Sequence, residues 1–135
     1  MNEKLVILQT DAVELLKKLI ATPSFSREED QTSAILEKFF LERSVPVNKH
    51  LYNVWAVNKH FDSDKPSLLL NSHHDTVKPN SQYTRDPFTP SVEDGKLYGL
   101  GSNDAGGCLV SLIATFLYYY YLLLRLFFLF LRGTK

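Results

Sequence analysis

A short, continuous apolar run at residues 68–70 limits the choice of fold more than any other segment of this chain. It follows Pro66 and gives way to polar residues from Asn71 onward. Apolar runs of this length, without polar alternation, are typical of strands that are covered on both faces. We therefore expect an α/β fold, with a mixed sheet flanked by helices.

Two helices are predicted before this strand. Apolar residues recur at helical spacing from Leu8 to Leu19, and Pro23 ends the pattern. Residues 26–29 match a capping box, in which the Ser26 hydroxyl and the Glu29 carboxylate accept from backbone N–H groups at the start of the second helix. Residues 53–57 then form a predicted strand, so helices and strands alternate as the α/β class requires.

Length and charge limit the classes of protein. The 135 residues fit one domain, and all fifteen acidic residues lie at or before Asp104, where twelve bases leave residues 1–104 with a net charge of −3. No stripe of Lys and Arg is present, so nucleic acid is not an expected partner. Cys108 is the only cysteine. With no secretory signal apparent, it indicates a reducing, cytoplasmic location, and we expect its side chain to be small, apolar and buried.

The segment after the apolar strand has the composition of a long surface loop from Lys78 to Pro90. Asp94-Gly95 then predicts a tight hairpin, because Gly tolerates the positive φ of such turns. A glycine-rich turn follows and surrounds Asp104. This order brings a carboxylate into a turn where missing side chains let the backbone approach an ion.

Three side chains in this region have the chemistry of a metal site. His73 directly follows the apolar strand, at the strand end where α/β sheets bind ligands. Its imidazole can donate a lone pair to a metal, and Asp75 can accept the proton on the other ring nitrogen. Asp104 adds a carboxylate, which can bridge two ions that together polarise a carbonyl and ionise water. The pattern indicates a metal-dependent hydrolase.

These motifs resemble the metal-site region of zinc-dependent acetylornithine deacetylases, succinyl-diaminopimelate desuccinylases, aminoacylases and glutamate carboxypeptidases. The similar motifs are Ser72-His73-His74-Asp75-Thr76-Val77, Asp86-Pro87-Phe88 and Asp94-Gly95-Lys96-Leu97-Tyr98-Gly99-Leu100-Gly101-Ser102-Asn103-Asp104. The resemblance runs from about Leu8 to about Phe116 and implies the N-terminal part of a zinc-peptidase-like catalytic domain.

The resemblance also implies roles. His73 would be a ligand of one metal, Asp75 the catalytic residue that orients it, and Asp104 the bridge between two zinc ions, with cobalt or manganese as other candidates. The substrate would be a small N-acyl amino acid or peptide. No Asp, Glu or His follows Asp104, although the family places its general base and further ligands there. We therefore expect an N-terminal fragment that is inactive on its own.

The C-terminal segment has two competing explanations. Residues 109–131 are almost wholly apolar and long enough to cross a bilayer. The resemblance instead assigns residues 107–116 to a buried helix, so a membrane partner is not expected. We divide the chain into a truncated catalytic domain, 1–116, and an apolar tail, 117–135, that begins in a shifted reading frame or truncated gene near Tyr118.

Two alternative functions remain at this point. The chain could be a membrane-tethered or interaction module on a scaffold derived from a hydrolase. It could also be a complete single-site zinc-binding protein that uses His73 and Asp104. The sequence leaves the substrate identity and the oligomeric state open.

Overall fold

The structure is a computed structural model, and it describes residues 3–121 and 127–133. In chain order, its elements are α1 (Glu3–Ile20), α2 (Asp30–Leu41), β1 (Asn48–His50), β2 (Asn53–Val57), β3 (Leu68–His73), β4 (Ser91–Glu93), β5 (Lys96–Tyr98), α3 (Cys108–Tyr119) and β6 (Phe127–Arg132). The two predicted opening helices and the predicted strands 53–57 and 68–70 are therefore present.

The main sheet has four strands in the order β1-β2-β6-β3. Strand β6 runs antiparallel to β2 and parallel to β3, which confirms the predicted mixed sheet. Strands β4 and β5 form a separate hairpin. Its turn residues Asp94 and Gly95 have φ values of 50° and 73°, the positive values that the Asp-Gly pair predicted.

The hydrophobic core lies between the three helices and one face of the sheet. Val54, Ala56 and Leu131 on that face are at most 1% exposed, and they belong to the same cluster as the inward residues of all three helices. At its centre, Phe40 of α2 and Phe116 of α3 meet edge to face, with ring centroids 6.2 Å apart. Leu70 of β3 packs against the same cluster and so ties the strand that carries His73 to the core.

The expectation that residues 68–70 are covered on both faces is wrong for two of them. The side chains of Leu68 and Leu69 are 52% and 55% exposed, and only Leu70 of the run packs against the core. The reason is that the described helices pack on one face of the sheet. Leu69 alternates with Leu70 and so points to the other face, while Leu68 lies at the start of the strand, outside the core cluster. An apolar run therefore does not distinguish a strand covered on both faces from one covered on a single face.

The predicted capping box at residues 26–29 is also wrong. Helix α2 begins at Asp30, and no side chain makes a capping hydrogen bond at Glu29, the residue before it. Glu29 is fully buried, and the Ser26 hydroxyl donates to Asp75 instead. The carboxylate of Asp75, 49 residues away in sequence, replaces the local backbone as the partner of Ser26.

Residues 127–132 of the predicted tail lie within the sheet. Strand β6 occupies a central position, and Leu131 is completely buried. The predicted division at residue 116 stays a prediction, and residues 122–126 of the predicted tail lie outside the described residues. Among the residues that the structure describes, no helix is both long and apolar enough to span a membrane.

Cys108 corrects a further expectation. It is exposed at the start of α3, whereas we expected a buried thiol. The helix turns its neighbours Leu109 and Val110 toward the core instead, because the inward face of a helix recurs every three to four residues and Cys108 lies outside it.

Candidate metal centre

His73, at the end of β3, is held through one ring nitrogen. Its Nδ1 lies 3.2 Å from Asp75 Oδ1 and 3.2 Å from the Asp75 backbone carbonyl oxygen. A carboxylate and a carbonyl can only accept, so the ring donates to them in the tautomer that carries its proton on Nδ1. The Nε2 lone pair of His73 is therefore left available on the opposite side of the ring.

Asp104 lies on that opposite side. Its Oδ1 is 3.3 Å from His73 Nε2, and its side chain is 91% exposed. Two lone-pair donors thus face each other at a separation that a shared proton or a metal cation would stabilise. Two ligands with zinc bonds of about 2.0–2.1 Å in a tetrahedral shell lie roughly 3.3 Å apart, so this pair fits a zinc ion. The structure brings all three predicted site residues together.

The turn that presents Asp104 depends on two glycines. Gly101 has a φ of 76°, and a Cβ there would lie 2.7 Å from Thr76 Cγ2. A Cβ on Gly106 would lie 2.5 Å from the Gly101 carbonyl oxygen, the atom that accepts the Gly106 N–H at 2.8 Å. A side chain at Gly101 would collide with Thr76, and one at Gly106 would collide with the backbone of the turn itself, so either would distort the turn. The glycines therefore keep Asp104 within reach of His73.

An open cleft of about 290 Å³ lies over these groups. Its lining includes His73, Asp75 and Asp104 together with Tyr83 from the long loop. The volume is near the lower end of the range for small-molecule sites, about 300–1,000 Å³. The cleft can therefore admit a compact substrate beside the two ligand atoms.

The long loop at residues 78–90 is anchored beside this cleft. Arg85 donates to both carboxylate oxygens of Glu93 on β4, at 2.5 and 2.8 Å, and its guanidinium lies 3.9 Å from the centre of the Tyr98 ring. The hydrogen bond from the Arg85 side chain holds the pKa of Glu93 below its usual value. These contacts tie the loop to the hairpin β4–β5, consistent with an ordered functional loop.

His74 points away from the cleft and is buried. Its Nε2 lies 2.9 Å from the Tyr52 carbonyl oxygen, which can only accept, so Nε2 carries a proton. Its Nδ1 lies 3.0 Å from the Thr32 hydroxyl. Burial lowers the pKa of His74, although the hydrogen bond to Tyr52 and the charge of Glu29 oppose this shift. The neutral ring therefore accepts from Thr32, and His74 is a structural residue.

Sequence reasoning missed the role of Ser26 at this site. Its hydroxyl donates to Asp75 Oδ2 at 2.8 Å, on the carboxylate oxygen that does not face His73. No sequence pattern indicates a contact between residues that lie 49 positions apart. The motif around Ser26 was instead typical of a helix start, which the structure does not show.

The donor set at the site is small. Within residues 3–121 and 127–133, no group of three or more His, Cys, Asp or Glu side chains has an arrangement that could hold a metal ion. Asp75 contacts the Nδ1 side of the His73 ring, so His73 Nε2 and Asp104 Oδ1 are the two atoms that could share one ion. One imidazole and one carboxylate suit zinc, and also cobalt or manganese.

Comparison with known proteins places this site in a family. A profile of the peptidase family M20/M25/M40 matches residues 69–120, which include all three site residues. Acetylornithine deacetylases of Salmonella paratyphi B and Salmonella newport are each 37% identical over 110 residues. Those alignments cover 70% of this chain and 28% of each relative, so the chain spans less than a third of their length.

Solved structures agree in fold. The M20 family metallo-carboxypeptidase Sso-CP2 from Sulfolobus solfataricus superposes with a TM-score of 0.71 at 25% identity, over 98% of this chain and 31% of that one. Human carnosine dipeptidase 1 superposes with a TM-score of 0.67 at 19% identity, over 96% and 33%. The site geometry, the profile match and the identity to these relatives agree, and the chain belongs to peptidase family M20/M25/M40.

Proposed function

We propose that this chain forms part of the catalytic domain of a zinc-dependent amidohydrolase that removes the acyl group from an N-acyl amino acid. The observation that carries the proposal is the approach of His73 Nε2 and Asp104 Oδ1 to 3.3 Å, with Asp75 on the other side of the imidazole. The identity to acetylornithine deacetylases supports the substrate class. The single cysteine supports a cytoplasmic location.

The residues of this chain would prepare the site for the metal. When bound, a metal of this type supplies a Lewis acid that polarises the scissile carbonyl and activates water. Asp75 keeps the proton of His73 on Nδ1, so that Nε2 presents its lone pair to the cleft. Asp104, whose side chain is exposed at the cleft, would supply the carboxylate that holds the metal beside His73.

We also propose that the 135-residue chain does not hydrolyse its substrate alone. Asp75 contacts His73 and Ser26, and Asp104 would hold the metal, so neither is placed to act as a general base. No other Asp, Glu or His follows in the sequence. The chain should therefore bind metal weakly and lack turnover.

A zinc titration tests the metal site. Isothermal titration of the wild-type chain should show weak zinc binding, and His73→Ala should weaken it by at least about tenfold. The exposed residue His50 supplies the matched control, since His50→Ala removes an imidazole that lies far from the cleft lining. Equal zinc affinity of the wild-type and His73→Ala chains would contradict the site.

A chimera tests the activity. Residues 1–116 of this chain would replace the matching segment of the Salmonella acetylornithine deacetylase, and hydrolysis of N-acetylornithine would be measured. We expect turnover by the chimera, its loss in the His73→Ala chimera, and none by the 135-residue chain. A folded chimera that binds zinc but leaves every N-acyl amino acid intact would overturn the proposed reaction.

A further inference from the structure

We infer that Ser26 is a positioning residue of the metal centre, which acts through Asp75 to aim the His73 imidazole. The consequence of this inference for metal binding rests on the proposed function, whereas the contacts themselves are independent of that function. The Ser26 hydroxyl donates to Asp75 Oδ2 at 2.8 Å, while Asp75 Oδ1 lies 3.2 Å from His73 Nδ1. Each carboxylate oxygen thus has its own partner.

This division of partners fixes the orientation of the carboxylate. An aspartate bound through one oxygen can still rotate about its terminal torsion, which is broad and roughly two-fold. Bound at Oδ2 by Ser26, the Asp75 carboxylate keeps Oδ1 directed at His73. The hydroxyl has one proton, and an O–H donor to a carboxylate makes a charge-assisted bond that is stronger than a neutral one.

The segment that carries Ser26 is itself held against the strand end. The Thr76 N–H donates to the Ser24 carbonyl oxygen at 2.8 Å, and the buried Ser24 hydroxyl donates to the His74 carbonyl oxygen at 2.9 Å. Phe25 also forms a parallel bridge with Thr76. The backbone of this segment therefore runs beside Asp75 and delivers the Ser26 hydroxyl at a fixed position.

Helix capping does not explain Ser26. Helix α2 begins four residues later, without a side-chain capping hydrogen bond. Ser26 is exposed, so neither core packing nor burial requires a serine there. The hydrogen bond to Asp75 is the contact that gives the hydroxyl a role.

The first test reads the tautomer of His73 in the metal-free chain. Side-chain ¹⁵N NMR at about pH 8.5, where ordinary imidazoles are neutral, reports which ring nitrogen carries the proton. We expect the Nδ1–H form to predominate in the wild type and its ratio to the Nε2–H form to fall about fivefold in Ser26→Ala, as loss of one exposed charge-assisted bond allows. Ser26→Thr keeps the hydroxyl and should restore the wild-type ratio.

Ser33→Ala is the matched control. It removes a hydroxyl that donates to Asp30 in the first turn of α2, so it disturbs the helix start without touching Asp75. The His73 tautomer ratio should stay at the wild-type value in this variant. An unchanged ratio in Ser26→Ala, or an equal change in Ser33→Ala, would overturn the positioning role.

The second test measures zinc affinity. Zinc affinity of Ser26→Ala should fall about fivefold, less than the 10–100-fold typical of a ligand's direct partner, because Ser26 acts through Asp75. Ser26→Thr should bind as the wild type does. If the tautomer ratio shifts but the wild-type chain binds no zinc, the proposed metal function fails and the positioning of His73 stands. If zinc binds and Ser26→Ala changes neither readout, the positioning role fails and the metal site stands.

Discussion

His73 and His74 are neighbours in the chain, yet they occupy opposite environments at the end of β3. The side chain of His73 is 40% exposed and faces the cleft, while His74 is 6% exposed and lies in the protein interior. The side-chain partners of His73 are carboxylates, whereas those of His74 include no charged group and consist of a carbonyl and a hydroxyl. One residue is therefore arranged for a ligand and the other for stability.

The difference shows how one strand end can direct one histidine to the cleft and its neighbour to the protein interior. Successive side chains of a strand point to opposite sides, so two adjacent histidines cannot both face the same cleft. Burial favours the neutral ring of His74, and the two protein hydrogen bonds satisfy both of its nitrogens. His73 keeps one nitrogen unsatisfied by the backbone, which is what a metal ligand requires.

Of the variants that test this difference, the one that removes the buried His74 ring should have the largest effect on stability. His74→Ala should lower the free energy of unfolding by about 2–4 kcal/mol, because it leaves a cavity and deprives Tyr52 and Thr32 of their partner. His73→Ala should change it by no more than about 0.5 kcal/mol. Urea unfolding of the two variants measures both values, and equal losses would contradict the division of roles.

The second prediction concerns pH in the presence of a chelator. The pKa of His74 is lowered by burial from its ordinary value of 6.5, so below pH 6.5 the unfolded chain binds more protons at this residue than the folded chain. Stability should therefore decrease as the pH falls through 6.5 and level off below the folded pKa. Urea midpoints from about pH 7.5 to about 5.5 give the slope. His74→Gln should reduce the slope, and His73→Ala should keep it.

A smaller effect is expected at the serine that supports His74. The Ser24 hydroxyl is buried and donates to the His74 carbonyl oxygen, so Ser24→Ala leaves a buried acceptor without that donor. We expect a loss of about 1–2 kcal/mol in the free energy of unfolding. Thermal unfolding beside Ser63→Ala, an exposed serine in the 58–66 connection, provides the comparison. A loss no greater than that of Ser63→Ala would show that the buried bond contributes nothing.

The smallest effect on stability is expected at Asp104, the exposed residue that we propose as a metal ligand. Asp104→Asn keeps the shape of a side chain that is 91% exposed, so the free energy of unfolding should change by at most about 0.5 kcal/mol. Zinc binding should weaken nonetheless, because the amide carries no negative charge. Paired urea and zinc titrations would check this separation. A strongly destabilised Asp104→Asn chain would place Asp104 among the structural residues.

Much of the fold could be predicted because it follows from local periodicity. The helical spacing from Leu8 to Leu19, the β-branched residues at 53–57 and the Asp94-Gly95 turn each produced the expected element. The candidate metal residues could be found equally well, since a histidine at a strand end and a carboxylate in a glycine-rich turn are visible in the sequence. Their approach to 3.3 Å agrees with that pattern.

The remaining features depend on contacts between distant parts of the chain. Ser26 matched a capping motif, but its partner lies 49 residues away, where no local rule applies. The exposure of Leu69 depends on which face of the sheet the helices cover, which periodicity does not encode. The strand β6 was missed because its monotonous apolar composition suggested a tail, although its backbone pairs with two strands.

The central place of β6 has a consequence for the order in which the protein folds. Strands β2 and β3 do not pair with each other, and both pair with β6. Until β6 has been synthesised, the strand bearing His73 has no neighbour in the sheet and can be held only by the helices. The decisive pairings join segments far apart in sequence, which slows folding. The described sheet therefore closes only after β6 has left the ribosome, and the exposed apolar residues of β3 remain accessible to chaperones until then.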